Sequence, residues 1–124
     1  MASPVKFAHV VLKSPRYAEM LEWWLDFLEG SVRYGNDFIS FLSYDDEHHR
    51  IAIVNMPHLE ARSSESEGLE HFAFTYASLD DLFDQYERMK AKGISPYNAV
   101  AVPSAFASII FEMPTYDLAV GIFS

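Results

Sequence analysis

Apolar and polar positions follow two rhythms along this chain, and the same succession occurs twice. "KFAHVVL", from Lys6 to Leu12, is a short apolar run rich in β-branched residues and predicts a strand. In "SPRYAEMLEWWLDFLEG" the period lengthens. Tyr17, Met20, Leu21, Trp24, Leu25 and Leu28 recur at i, i+3, i+4 spacing, the stripe of a helix packed along one side. Ser14 is placed to cap this helix, Pro15 to take its first position and Gly30 to close it. Three strand-like runs follow, "SVRYG", "DFISFLS" and "RIAIVN", separated by the turn signals "GND" and "YDDEHH".

The order then repeats. "LEHFAFTY" predicts a strand, and Ser78 opens a helix with Asp81 placed to complete a capping box. Leu79, Leu82, Phe83 and Tyr86 are its expected buried stripe, and Gly93 its end. Strand-like runs near Tyr97 to Val102, Ser108 to Glu112 and Leu118 to Phe123 complete the set. Each half therefore reads βαβββ, with His9 and His71 at matching places on the two leading strands, and the halves are copies of one supersecondary unit. The expected class is α+β. The expected organisation is a single domain over 1–124, with a first module at about 5–56, a polar linker at 57–67 and a second module at 68–124.

Composition narrows the partners. Half of the 124 residues are hydrophobic and 15% are aromatic, so a core needs no disulfide, and the absence of cysteine removes thiolate chemistry. A net charge of −9 repels phosphate backbones and anionic membranes, so neither a nucleic-acid nor a membrane partner is expected. No apolar run reaches the length of a membrane span, and "MASPVKF" lacks the apolar run of a signal peptide. The expectation is a cytoplasmic protein.

Histidine is the side chain suited to moving protons near neutral pH, so the pair His9 and His71 is the first candidate for chemistry, as acid and base. A hydrogen-bonded, inert role is the competing reading. Arg50 and Asn55, entering and leaving "IAIV", are candidates to orient a polar substrate, although strand ends favour polar residues in any case. The cluster "YDDEHHR" reads as a solvated hairpin turn, because consecutive side chains there diverge and do not converge on one ion. Trp24 belongs to the buried stripe, and Trp23 is expected to cover a contact between modules or subunits.

Paired βαβββ modules, a histidine on each leading strand and the segments "DDEHHRIAIVNMP" and "EHFAFTYASLDDL" together resemble the vicinal oxygen chelate superfamily of glyoxalases, bleomycin- and fosfomycin-resistance proteins and extradiol dioxygenases. The resemblance covers roughly residues 5 to 123 and weakens after Val100. It implies a half-open curved barrel, a homodimer, and a divalent metal held by two histidines and a glutamate on the last strand. His9 and His71 fall on the first two of those positions. The family's ending, of the form S-x-Y-F-x-D-P-D-G-N-x-x-E, is replaced here by "SIIFEMPTYDLAV". Ser108, Phe111 and Pro114 keep the register, Met113, Thr115, Tyr116 and Asp117 replace the acidic turn, Pro103 stands for a histidine, and Val120 occupies the glutamate slot.

A valine there puts apolar surface where a cation belongs, and two imidazoles alone hold a divalent ion weakly. The expectation is no cofactor, with a weak divalent metal at His9 and His71 as the alternative and Glu112 or Asp117 as substitute carboxylates. The substrate is expected to be a small hydrophobic molecule, with Phe111 and Val120 lining its pocket beside Arg50 and Asn55. Three functions follow: a metal-independent isomerase, cyclase or rearrangement enzyme acting on an aromatic or polyketide-like compound; a metal-dependent dioxygenase or glyoxalase-like lyase; or a binding protein that sequesters such a compound.

Overall fold

The computed structural model describes residues 2–96, 98–102, 106–114 and 118–123, without the side chains of 98–102, 106, 107, 118, 120 and 123. The chain divides into two compact units, Met1–Ala61 and Arg62–Ser124, and the division falls inside the stretch read as a linker.

The first unit contains β1 (Val10–Ser14), α1 (Tyr17–Leu28), β2 (Ser31–Gly35), β3 (Ile39–Ser43) and β4 (Ile51–Asn55). They form one mixed sheet in the order β1-β4-β3-β2, with β1 parallel to β4 and the other pairs antiparallel. Strand alternation separates its two faces. Leu12, Ser14, Ser40, Leu42, Ile51 and Ile53 are buried on the side of α1, while Val11, Lys13, Phe41 and Val54 project from the other. Val11 and Tyr34 on that second face are 53% and 55% exposed, so helix packing leaves it open.

The helix begins later than the serine–proline signal predicts. β1 runs on to Ser14, whose hydroxyl accepts the Arg16 N–H, and the N-cap is Arg16 with no side-chain cap. Its buried stripe is Met20, Trp23, Trp24 and Phe27. Leu21, Leu25 and Leu28 are only half-buried. Trp23 is thus buried within this chain, stacked on Phe27 at 5.1 Å, and Trp24 meets the same ring edge-on at 5.4 Å. The helix ends at Glu29 in the left-handed conformation. Gly30 follows because a β-carbon there would stand 2.5 Å from the Ser43 carbonyl oxygen.

The second unit repeats the plan with β5 (His71–Thr75), α2 (Leu79–Ala91), β6 (Asn98–Val102), β7 (Phe106–Glu112) and β8 (Leu118–Phe123), in the order β5-β8-β7-β6. Ser78 caps α2 as its sequence predicts, accepting the Asp81 N–H at 3.1 Å. The buried face is Leu82, Gln85 and Met89, one step round from the expected stripe, and Leu79 and Phe83 are exposed. Gly121 lies under this face: a β-carbon on it would meet Leu82, Tyr76 and Gln85. Alignment of His9 with His71 sets Gln85 where the first unit has Trp23. The missing β-carbon at Gly121 admits the amide, although neither of its polar atoms finds a partner.

Candidate functional site

In the first unit the site is built at the loop between β3 and β4, the "YDDEHHR" segment. It is not the loose turn that local spacing predicts. Asp45 accepts two hydrogen bonds from Arg50 Nε, at 3.2 and 3.1 Å, and one from Nη2 at 2.9 Å. The remaining arm of the guanidinium, Nη1, donates to the carbonyls of Phe7 and Ala8 at 2.8 and 2.9 Å. Lys6 and Glu47 form an ion pair beside them. Hydrogen bonding from Arg50 holds the Asp45 carboxyl below the ordinary aspartate range, with burial opposing it. Arg50 is therefore a clamp that ties the segment before β1 to the loop, and its N–H groups face protein oxygen.

The clamp sets His9, the residue before β1, against the loop. The His9 and His49 rings lie 4.1 Å apart between centroids, tilted by 36°. His49 also meets Phe41 at 4.6 Å, and its Nδ1 stands 2.8 Å from Nδ1 of His48. Burial first, then His9 and His48 as neighbouring imidazoles, holds His49 below the ordinary histidine value, with Glu47 pulling the other way. The adjacent histidines thus converge through their ring nitrogens, contrary to the divergence expected of a turn. His48 and His49 are residues that sequence reasoning missed as a site. The available signal was the two-residue imidazole run directly before the apolar strand "IAIV", on a loop whose arginine reaches back to Phe7. Asn55, at the far end of β4, donates through Nδ2 to the Asp37 carbonyl at 3.0 Å and holds the turn into β3.

In the second unit His71 opens β5 and is exposed, with Nδ1 3.2 Å from a carboxylate oxygen of Glu70. The strand register places His71 opposite Leu118, and Leu118 opposite Glu112. His71 and Glu112 thus occupy one row on the face turned away from α2, two strands and about 10 Å apart. The next row on that face is Ala73, Val120 and Ile110. Phe111 falls on the opposite face. It pairs with Ala119, is fully buried, and belongs to the core beneath α2, which corrects the expectation that it lines a pocket beside His71. Thr115, Tyr116, Asp117 and Pro103 lie outside the described residues, as does the Val120 side chain.

Among the described residues no group of three His, Cys, Asp or Glu converges so as to hold a metal ion. At the three positions that the resemblance marks, the sequence supplies two imidazoles, His9 and His71, and an apolar residue, Val120. Chemically the first unit offers a pair of close imidazoles, one of them held below the ordinary histidine value, beside exposed apolar side chains. No helix among the described residues is long and apolar enough to cross a membrane.

The comparisons with known proteins agree with the fold. The chain is 41% identical over 97 residues to biphenyl-2,3-diol 1,2-dioxygenase 2 of Rhodococcus globerulus, covering 77% of this chain and 51% of that protein. It is 40% identical over 93 residues to biphenyl-2,3-diol 1,2-dioxygenase 3 of the same organism, covering 73% and 49%. The chain thus spans about half the length of the curated relatives it matches. Among solved structures, a glyoxylase/bleomycin resistance protein/dioxygenase domain from Frankia sp. EAN1pec superposes with a TM-score of 0.77 at 16% identity, covering 97% of this chain and 92% of that one. Residues 6–101 match the sequence profile of the Glyoxalase/Bleomycin resistance protein/Dioxygenase superfamily, and the chain belongs to that family.

Proposed function

We propose that this protein transforms an oxygenated aromatic small molecule by imidazole acid–base chemistry, in an isomerisation, cyclisation or related rearrangement that needs no metal. The observation that carries the reading is the His9–His49 contact of 4.1 Å, on a sheet face where Val11 and Tyr34 remain exposed. Close imidazoles, one of them held below the usual histidine pKa by burial and by its imidazole neighbours, are suited to exchanging protons with a ligand. The apolar surface beside them suits a planar hydrophobic ligand, and the named relatives act on biphenyl-2,3-diol. The valine at position 120, where the resemblance sets a glutamate, supports a reaction in which the metal arm has been given up. A homodimer in the cytoplasm, acting on a small molecule, completes the proposal.

One experiment tests it. The protein, stripped with chelator, is titrated with biphenyl-2,3-diol by calorimetry, before and after Fe(II), Mn(II) or Zn(II). Binding that persists without metal and weakens at least tenfold in His49→Ala is the expected result. Binding that requires a stoichiometric metal ion overturns it. That outcome would favour a second reading, a metal-dependent dioxygenase, which the 41% identity to a named dioxygenase and the shared row of His71 and Glu112 support.

A further inference from the structure

We infer that Tyr34 is a specificity-determining residue of the open sheet face, donating its phenolic O–H to an oxygen of the ligand. Asn36 is the positioning residue that leaves this proton free to be given. The inference rests on the proposed site and adds the group that recognises the ligand's oxygen.

A bulge in β2 puts Tyr34 on this face. Val32 stands opposite Leu42, and Tyr34, not Arg33, stands opposite Phe41. Arg33 is the extra residue, and it donates to the Asp45 carbonyl. Without the bulge, strand alternation would turn Arg33 toward the face and Tyr34 away from it. Val11, Ala52, Phe41 and Tyr34 form one row across four strands. Three strand spacings make that row on the order of 14 Å long, enough for two linked aryl rings. The Tyr34 and His49 rings both meet Phe41 on it, at 6.2 and 4.6 Å.

Hydrogen bonding settles the direction of the Tyr34 hydroxyl. Asn36 Oδ1 accepts the Phe38 and Ile39 N–H groups at 2.8 and 3.0 Å. Two backbone donors require an oxygen at that place, so the other arm of the amide is Nδ2, an atom that only donates. Nδ2 stands 3.2 Å from Tyr34 Oη, which therefore accepts. A phenol carries a single proton in the plane of its ring, and this contact leaves it on the side turned from Asn36. Among the described residues none accepts that proton, and Tyr34 is exposed. Asn36 is itself tied at both ends, its N–H to the Ile39 carbonyl at 3.0 Å and its carbonyl to the Tyr17 hydroxyl at 2.8 Å. The donor is thus oriented before any ligand arrives.

This sets the ligand's chemistry. An O–H donor selects an acceptor oxygen, and the next row of the face, Lys13, Val54 and Ile39, adds one positive charge and no negative one. The ligand is a flat aromatic molecule of about two rings with a phenol, carbonyl or carboxylate oxygen at its Tyr34 end.

The test is calorimetric titration of chelator-stripped protein with biphenyl-2,3-diol, with and without stoichiometric Zn(II). It compares the wild type with Tyr34→Phe, Asn36→Asp and the double variant. Tyr34→Phe removes only an exposed hydroxyl. Asn36→Asp keeps an oxygen for the Phe38 and Ile39 N–H groups but replaces the donor with an acceptor, which captures the Tyr34 proton. Each single substitution should weaken binding about three- to tenfold, the worth of one hydrogen bond. The double variant should bind no more weakly than Tyr34→Phe alone, and the side-chain ¹H–¹⁵N signals of Asn36 in the ligand-free protein should move in Tyr34→Phe. Binding unchanged in Tyr34→Phe, additive losses in the double variant, or unmoved Asn36 signals overturn the inference. So does a wild type that binds no diol under either condition. Binding that needs zinc, or that survives His49→Ala, and still weakens in Tyr34→Phe would sink the acid–base reading and leave the role of Tyr34 standing.

Discussion

Replacing Arg50 should unfasten the candidate site from its scaffold, and the size of the loss can be worked from the contacts. Arg50→Met keeps most of the apolar stem and removes every N–H. Three donor contacts to the Asp45 carboxylate and two to the carbonyls of Phe7 and Ala8 disappear. A fully buried charged hydrogen bond would be worth roughly 1.5–3 kcal/mol, and a surface ion pair under 1 kcal/mol. Arg50 and Asp45 retain 18% and 31% side-chain exposure, so the pair sits between those limits. Allowing about 1–2 kcal/mol for the forked contact and about 0.5 kcal/mol for each rehydratable carbonyl gives a total of about 2–3 kcal/mol.

The assay is specific to the unit concerned, because both tryptophans lie on α1. Urea unfolding followed by tryptophan fluorescence should move its midpoint down by roughly 1–2 M, for a slope on the order of 1.5 kcal/mol per molar. Arg50→Lys should recover less than half of this, since an ammonium cannot span the carboxylate and the two carbonyls together. The dependence on acid has a definite sign. Asp45 is held below its ordinary pKa in the fold, so its contribution is complete above the unfolded value of about 3.9 and is lost as pH falls through the lower folded value. An Arg50→Met midpoint within about 0.2 M urea of the wild type would refute the clamp.

Three further outcomes follow from other contacts. Gln85→Met should raise the stability of the second unit by about 1–2 kcal/mol, because both orphaned polar atoms of a fully buried amide are removed; urea unfolding followed by circular dichroism checks this, and a loss of stability contradicts it. Gly30→Ala should cost about 2 kcal/mol or more, since its β-carbon would stand 2.5 Å from a backbone oxygen that side-chain motion cannot relieve; an unchanged melting temperature contradicts that. Turnover that uses neutral His49 should persist below pH 6.5 and fall only as acid reaches its lowered pKa, and His49→Phe, which keeps a ring against His9, should abolish turnover while leaving the fold intact. Turnover retained in His49→Phe with an unchanged pH profile would exclude His49 as the titrating group.

Much of the fold was legible because its signals are local. The Ser78 cap and the apolar runs each rest on residues a few positions apart, and the α+β class with two βαβββ units followed from them. The phase of each helix was less legible. Trp23 and Gln85 face inward although a leucine-based stripe excludes them, because tertiary packing selects the large or enclosed side chain over the neatest periodicity. The site was the least legible part. What turns "DDEHHR" from a polar turn into a cluster is Arg50 reaching back across 42 and 43 residues to Ala8 and Phe7, a contact with no local signature. Phe111 shows the same limit on a strand, where only the register against Ala119 reveals which face it takes.

Oxygen uptake tests the central claim most directly. The protein is mixed with biphenyl-2,3-diol in aerated buffer, with and without stoichiometric Fe(II), and dissolved oxygen is followed. If the site works through His9 and His49 alone, the diol binds and the oxygen level stays flat in both samples. Iron-dependent consumption of one oxygen per diol, abolished by His9→Ala and His71→Ala, would contradict the account.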